Sequence, residues 1–384
     1  MGDRPSGSEA DDRRYLAAAI RLGRRHEGLT GDNPSVGCLL VRDGRIVATG
    51  VTEIGGRPHA EITALDRAGA GARDATAYVG LEPCAHHGRS GPCADALIAA
   101  GIARAVVALR DPFAAVDGQG IAKLRDAGID VAVGMLEAEA RDSMAGFLSR
   151  VERDRPHVLL KLAVSAEGWL GRRSERVAIT GAEAARHTHL LRARADAILV
   201  GVGTVLADDP SLACRLPGMA DRSPRRYVLD TSLRTPIGAR VVRTARDVPT
   251  TILGMPSSDD RASALRRSDA RVVDGTGVVP GGAALPGDAI EQSMISTDRI
   301  VSQLRSDGVG VLMVEGGGAV ARTFLDAGLV DEVHLIAGRA IGDDPSNAAP
   351  IASPLRANEV PDGFAVTRRL ALGDDRVTVL HRID

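Results

Sequence analysis

The chain has 384 residues, with 48 Lys and Arg against 50 Asp and Glu, a formal net charge of −2 and 44% hydrophobic residues. This balance excludes a basic tail that coats nucleic acid and argues against disorder; at roughly 150 residues per domain, the length predicts two or three domains, each with its own core. With 44 Gly but only 2% aromatic residues, those cores must be filled by Leu, Val, Ile and Ala, which suits α/β layers joined by tight connections.

The opening segment MGDRPSGSEADDRR carries charges of both signs and no apolar h-region, so it does not read as a secretory signal and a cytoplasmic protein is expected. Four cysteines in this length agree with a reducing compartment and no disulfide scaffold. A helix is predicted near 13–27, strands at Gly37–Val41 and Arg45–Thr49, and a helix at Ala60–Ala70. A strand at Thr76–Leu81, a helix at Cys93–Ala100, a strand at Ala105–Leu109 and a short βα-type unit over Ile121–Val133 follow. Asp43-Gly44 is a hairpin signal, so the first two strands are antiparallel; the later strands, joined through helices, should be parallel, which makes the sheet mixed.

A charged helical stretch from Leu136 to Arg155 stops at Pro156, which cannot extend a helix. The domain boundary is placed there, giving domains 1–152 and 153–384. Beyond it HVLLKLAVS, DAILVGV, RRYVLD, TTILGM, ARVVDG and VGVLMVEGG read as short strands of a second α/β domain. The Gly-, Pro- and Ala-rich run from about Val278 to Ser296 reads as a surface excursion. No run approaches the roughly 18 apolar residues that cross a bilayer, so no membrane partner is expected.

The strongest chemical signal is Pro58-His59-Ala60-Glu61, followed by Glu82-Pro83-Cys84 and by Cys93. One His and two Cys supply three zinc ligands, and three protein ligands with an open fourth position describe a catalytic zinc rather than a structural one. Zinc lowers the pKa of water at that position, and Glu61, two residues from His59, is placed to shuttle protons without binding the metal. His59 and Glu61 should open one helix, with Ile62, Leu65 and Ala68 on its apolar face, and Cys93 should open another after Pro92. Helix N-termini favour anions, the Cys93 thiolate included. Any one of these residues alone would be a capped surface histidine or an ordinary core cysteine; their joint pattern speaks for the metal. His86 and His87 are competing ligands in principle, but adjacent histidines in a Gly-rich loop are better placed to face a substrate.

The run LEPCAHHGRSGPC, with PHAE upstream, resembles the N-terminal half of the bifunctional riboflavin-biosynthesis deaminase-reductases, which belong to the cytidine-deaminase-like superfamily. The likeness is carried by AHHGRSGP between the two cysteines, where nucleoside and tRNA deaminases have only two residues. GDNPSVG resembles the family's substrate-binding NPxVG segment and brings in Asn33. The resemblance implies a three-layer α/β domain with a mixed sheet. It also implies zinc-dependent hydrolytic deamination of 2,5-diamino-6-(5-phosphoribosylamino)pyrimidin-4(3H)-one to the uracil. Arg89 with His86 and His87 is a candidate clamp for the substrate phosphate, a solvated loop arginine being the equal alternative for Arg89. Ser35 stands where the family commonly has arginine, and in DPFAAVDGQG Phe113 replaces a polar residue near the substrate.

Lysine occurs only at Lys123 and Lys161. Lys161 lies inside an otherwise apolar strand, where a lysine is costly unless paired or functional. A role in binding substrate or cofactor phosphate is therefore favoured over a snorkelling edge residue. Thr204 to Pro210, with Asp208 and Asp209, is expected as a loop after the strand Ala197–Val202. VGVLMVEGGGAVARTFLDAGL reads as a strand, a glycine turn and a helix whose start can cradle a phosphate. GxGxxG is absent at that turn, so the common doubly wound dinucleotide fold is not indicated.

KLAVSAEG, AITG, LLRARADAILVGVGTVLADDPSL, YVLDTSLRTP and VEGGGAVARTFLDAGLVDE resemble, in order, the reductase half of the same enzymes, which has a dihydrofolate-reductase-like α/β fold. The resemblance implies NADPH-dependent reduction of the ribosyl group, through its ring-opened imine, to a ribityl side chain. By motif, Ala163, Leu170, Ala178, Thr204, Asp208, Thr231 and the turn Gly317, Gly318, Ala319, Val320, Ala321, Arg322 and Thr323 should meet NADPH. Lys161, Arg176, Arg192, Leu212, Arg215 and Glu315 should meet the substrate. Arg192 and Arg215 are expected to grip its phosphate, and Asp208 or Glu315 to bond ribose hydroxyls. The bland alternative for the acids is a loop cap, assigned to Asp209. Ala178 replaces a tryptophan common in the family, and Glu167 an aspartate.

A reading of another class is a nucleic-acid or nucleoside zinc deaminase relative whose C-terminal domain is a non-catalytic scaffold. Balanced charge and scarce aromatic rings argue against a nucleic-acid partner. The expected partner is a small phosphorylated pyrimidine, and the expected assembly a homo-oligomer, dimer or tetramer.

Overall fold

The computed structural model describes residues 8–86, 91–172, 177–254, 259–275, 295–341 and 350–383. These divide into two compact units, Met1–Asp154 and Arg155–Asp384. His87, Arg89, Arg176 and nearly all of the run at 278–296 lie outside the described residues.

The first unit runs α1 (Glu9–Gly23), β1 (Gly37–Arg42), β2 (Arg45–Val51), α2 (Ala60–Ala68), β3 (Thr76–Val79), α3 (Cys93–Ala99), β4 (Arg104–Val107), α4 (Gln119–Asp126), β5 (Asp130–Val133), α5 (Glu137–Ser143) and α6 (Ala145–Arg153). Ser8 caps α1, its hydroxyl accepting from the Asp11 N–H. Asp43 and Gly44 both take positive φ, 51° and 71°, the conformation of a two-residue hairpin whose twist matches its strands. The sheet order is β2-β1-β3-β4-β5. β1 is antiparallel to both its neighbours and β3, β4 and β5 are mutually parallel. Helices close on both faces, and two glycines permit it. A Cβ on Gly37 would collide with the Ala19 carbonyl of α1, and one on Gly50, on the opposite face, with the Ala60 carbonyl of α2. Between these layers lies an aliphatic core that includes Leu16, Leu40, Val79, Leu97 and Val106.

Two expectations for this unit change. The piece at 121–133 is helix then strand, α4 and β5. The stretch after Leu136 is two helices parted at Met144 (φ −126°, ψ 20°). The Ser143 hydroxyl donates to the Ala140 carbonyl, a local bond that competes with the helix ladder, and the buried Met144 side chain anchors the bend.

The second unit runs β6 (His157–Val164), β7 (Trp169–Arg172), α7 (Ala182–Arg194), β8 (Ala197–Gly201), α8 (Val202–Asp208), β9 (Arg225–Leu229), α9 (Arg240–Arg243), β10 (Thr250–Gly254), α10 (Asp259–Arg266) and β11 (Arg271–Asp274). It continues with α11 (Thr297–Ser306), β12 (Val311–Glu315), α12 (Gly318–Asp326), β13 (Glu332–Ala337), β14 (Pro350–Ala352), β15 (Phe364–Leu372) and β16 (Asp375–Arg382). The main sheet has the order β11-β10-β9-β8-β12-β6-β13-β16-β15. It is parallel from β11 to β13 and antiparallel at β16 and β15. Its parallel strands are buried on both faces, as crossover helices require: alternate β6 residues Val158, Leu160 and Leu162 fill one core, and Leu159 enters the other.

The expected loop at 204–210 is a correction. Thr204 to Asp208 belong to α8, whose buried Val202 and Val205, three apart, hold one helical face against the unit. The chain leaves the helix only at Asp209, with φ 39°. Among the described residues, no helix is long and apolar enough to cross a membrane.

Candidate active sites

In the first unit three chain segments deliver the metal-binding trio. His59 is the extended residue before α2, Cys84 lies in the connection after β3, and Cys93 opens α3. The histidine Nδ1 lies 3.7 Å from Cys84 Sγ and 3.4 Å from Cys93 Sγ, and ligand atoms of all three fall within 4.8 Å of one another. Tetrahedral zinc with ordinary Zn–S and Zn–N bonds places a sulfur about 3.6 Å from a nitrogen, so the residues fit the ion. The Cys93 N–H donates to Cys84 Sγ at 3.3 Å. A hydrogen bond from the Cys93 thiol pulls the Cys84 thiol down to about 4, and the same bond holds the Cys93 proton on. Zinc is the charge that would let both be thiolates.

Glu61, in the first turn of α2, is 4% exposed. Burial lifts its carboxyl to about 7, against the pull of His59. It faces a cavity of about 720 Å³ together with His59, Cys84, Asn33, His86, Arg57, Phe113 and Arg150. Beneath this cavity the Glu82 carboxylate accepts the N–H groups of Asp111, Gly118 and Ile121, pinning the 111–118 loop and the start of α4 to the segment that carries Cys84. Asn33 and His86 line this cavity beside the metal trio. Ser35 does not: its buried hydroxyl donates to the Gly23 carbonyl at 2.5 Å. Arg57, Glu82, Asp111 and Arg150 were not anticipated, although Glu82-Pro83 sits within the quoted motif. Arg150 is an ion-pair partner of Asp32 at 3.0 Å.

The second unit has its own cavity, of about 250 Å³. Lys161, Ala163, Leu170, Arg192, Thr204, Asp208, Leu212, Arg215, Glu315 and Gly317, ten of the residues expected from motif, line it. Register explains the centre: Glu315 of β12 is directly opposite Lys161 of β6, and their charged atoms are 4.0 Å apart. Burial lowers the Lys161 proton affinity against the opposing pull of Glu315. Burial also works to raise the Glu315 carboxyl, but Arg192 and Lys161 outweigh it and hold it ionised.

Several of the side chains expected from motif have partners within the chain, and others lie away from the cavity. The Arg192 guanidinium lines the cavity and is held by partners within the chain. It donates from Nε and Nη2 to the two Glu315 oxygens and from Nη1 to the Ala213 carbonyl. Arg215 turns to the Ser211 hydroxyl at 2.8 Å. Asp209 does cap, but it caps α9, accepting from the Arg240 N–H. Ala178 is exposed, its carbonyl accepting from Arg339, and Thr231 follows β9 outside the residues lining the cavity. From the glycine turn, Gly317 reaches the cavity, whereas Gly318, Ala319 and Thr323 lie in α12, the last bonded to the Ala319 carbonyl. Val320 packs toward Gly201 and Ala321 is wholly buried. Arg322, a turn further along α12 and about 6 Å from its start, lines a separate depression with Phe364 and Arg382.

Residues 9–109 match the family described as the cytidine and deoxycytidylate deaminase zinc-binding region, and residues 156–347 the RibD C-terminal domain. The chain is 36% identical over 375 residues to the riboflavin biosynthesis protein RibD of Aquifex aeolicus, covering 97% of this chain and 98% of that one. It is 39% identical over 338 residues to the RibD protein of Escherichia coli, covering 87% and 89%. Among solved structures it is similar to Acinetobacter baumannii RibD, with TM-score 0.78 and 30% identity over 98% of this chain and 99% of that one. It is also similar to the diaminohydroxyphosphoribosylaminopyrimidine deaminase/5-amino-6-(5-phosphoribosylamino)uracil reductase of Thermotoga maritima, with TM-score 0.75 and 28% identity over 97% and 99%.

Proposed function

Because the chain belongs to the RibD family of bifunctional riboflavin-biosynthesis deaminase/reductases, we propose how its own residues divide the two reactions. The first unit is the zinc-dependent deaminase and the second the reductase. The observation that carries the reading is the His59, Cys84 and Cys93 trio opening onto a cavity that buries Glu61.

The deaminase substrate is the phosphoribosylated diaminopyrimidinone. When bound, zinc supplies the Lewis acidity that makes water a nucleophile near neutral pH. Glu61 takes the proton that water gives up as it adds to the ring carbon and passes it to the neighbouring ring nitrogen, then moves the proton of the new hydroxyl to the amino group, so that the C–N bond breaks, the carbonyl forms and ammonia leaves. Asn33 and His86 hold the pyrimidine edge in register with that carboxylate.

In the second unit, NADPH when bound supplies the hydride that reduces the sugar C1. Lys161, kept beside Glu315, gives a proton to the ring oxygen as the sugar opens, so that one hydride and one proton enter per ribityl group formed. Arg192 positions Glu315 rather than the substrate. Thr204 and Gly317, which line the same cavity, seat the cofactor. We assign the enzyme to the cytoplasm, where its cysteines, none of them in a disulfide, stay reduced, and to a homo-oligomer, which light scattering on the purified chain tests.

The test separates the halves. Glu61→Gln should abolish ammonia release from the diaminopyrimidinone while leaving NADPH oxidation on the deaminated product intact, and Lys161→Met should do the reverse. Loss of both activities in either variant, or of neither, removes the division of labour.

A further inference from the structure

Of the large apolar side chains exposed among the described residues, Phe113 alone lines the deaminase cavity. It is 44% exposed, and its exposure is not the accident of a loose loop tip. Its N–H donates to the Asp111 carboxylate at 2.9 Å, and its carbonyl accepts from Val116 and Asp117. The Asp111 N–H in turn is held by the buried Glu82. Val116 is 1% exposed and anchors the far side of the turn. Both backbone polar groups of Phe113 are thus held while much of the ring is left exposed. The other phenylalanine of the cavity, Phe147, packs against the core of the unit.

Among the described residues, the ring against which Phe113 rests is His86, edge to face at 6.2 Å between centroids and 62° between planes. The buried His86 Nδ1 atom has no hydrogen-bond partner among the described residues. A rigidly presented apolar ring face beside an imidazole nitrogen that lacks a partner is a complementary surface for one kind of group: a flat heteroaromatic ring with polar atoms on its edge. Such a ring covers the phenyl face by stacking, and its edge satisfies the imidazole.

We propose that Phe113 is the platform on which the pyrimidinone ring of the deaminase substrate lies, with His86 Nδ1 bonded to the ring edge. This deepens the deaminase reading and rests on it. The contact exists in the ground state as in the transition state, so it sets substrate affinity more than turnover.

The experiment is steady-state ammonia release by the zinc-loaded full chain with Phe113→Ala and Phe113→Tyr. Phe113→Ala should raise KM about ten-fold, within the range found for removing a ring from beneath a base, with kcat within about two-fold. Phe113→Tyr should restore a KM near the parent value, and NADPH oxidation by the second unit should be unchanged in both. A parental KM in Phe113→Ala, or a tyrosine variant as impaired as the alanine one, overturns the platform. If the parent protein releases no ammonia, the deaminase reading falls by itself. Calorimetric titration with the same diaminopyrimidinone then decides the platform: about ten-fold weaker binding by Phe113→Ala supports it, and equal binding overturns it.

Discussion

Arg192 and Glu315, 123 residues apart in the chain, meet fork to fork, with Nε to Oε2 at 2.8 Å and Nη2 to Oε1 at 2.7 Å. Both side chains are nearly enclosed, and the shared charge is what lets Lys161 stand beside them. A bidentate pair of this kind fixes direction as well as distance, so the arginine orients the acid of the reductase cavity.

Arg192→Leu should therefore leave Glu315 buried without its main counter-charge and lower the stability of the second unit by about 3 kcal/mol. NADPH oxidation should fall with it, while ammonia release stays. Arg192→Lys, which cannot reproduce two parallel donors, should restore little. Differential scanning calorimetry alongside the two assays checks this.

Metal removal should be selective. Cys93→Ser, or dialysis of the parent protein against a chelator, should reduce bound zinc from one per chain toward none and abolish ammonia release without slowing NADPH oxidation. Zinc counted by plasma mass spectrometry on the same samples decides it; an ammonia-releasing protein without zinc would contradict the site.

Gly120, in the first turn of α4, lies against the carbonyl of Pro83, and a Cβ there would sit inside that oxygen. Gly120→Ala should force α4 off the segment that carries Cys84. The expected cost is about 1 to 3 kcal/mol of first-unit stability, with weaker zinc binding in competition against a chromogenic chelator. Gly71→Ala, where a Cβ would meet nothing, should do neither.

Acid should act on the second unit through Asp331. Burial works to raise its carboxyl, but the Arg155 fork at 2.6 and 2.7 Å, His157 and the Val158 N–H hold it below the ordinary aspartate range. A carboxyl depressed in the folded state contributes stability that is complete above its unfolded pKa, near 4, and is lost as pH falls through the lower folded value. The melting temperature should be insensitive to this group between about pH 5 and 7 and should drop below about pH 4. Asp331→Asn should melt earlier at neutral pH and show a shallower acid decline.

Much of this was legible in the sequence wherever chemistry is written locally. His59, Glu61, Cys84 and Cys93 declare themselves because zinc demands particular side chains, and Asp43-Gly44 because only a few residues accept positive φ in succession. The α8 helix was mistaken for a loop because its apolar pair, Val202 and Val205, spans a single turn among glycine and aspartate. The C-terminal hairpin is not read from the sequence although Gly373 and Asp374 join strands paired from Leu372 to Asp375; in β15 the consecutive exposed residues Thr367, Arg368 and Arg369 break the alternation. The partnership of Arg192 with Glu315 is a property of strand order and leaves no local trace. The likeness of motifs named both residues, but only the register of β12 on β6 and the placement of α7 reveal that they bind each other.

The last strands carry a consequence for any shortened form of this protein. β16 occupies the outer side of β13 from Glu332 to Ala337, and β15 closes the sheet beyond it. A premature stop codon before Phe364 would strip that cover and leave a rim of unpaired amides one strand away from Lys161. Such a rim templates strands from neighbouring molecules, so the shortened product would be sticky and self-associating rather than merely a smaller enzyme.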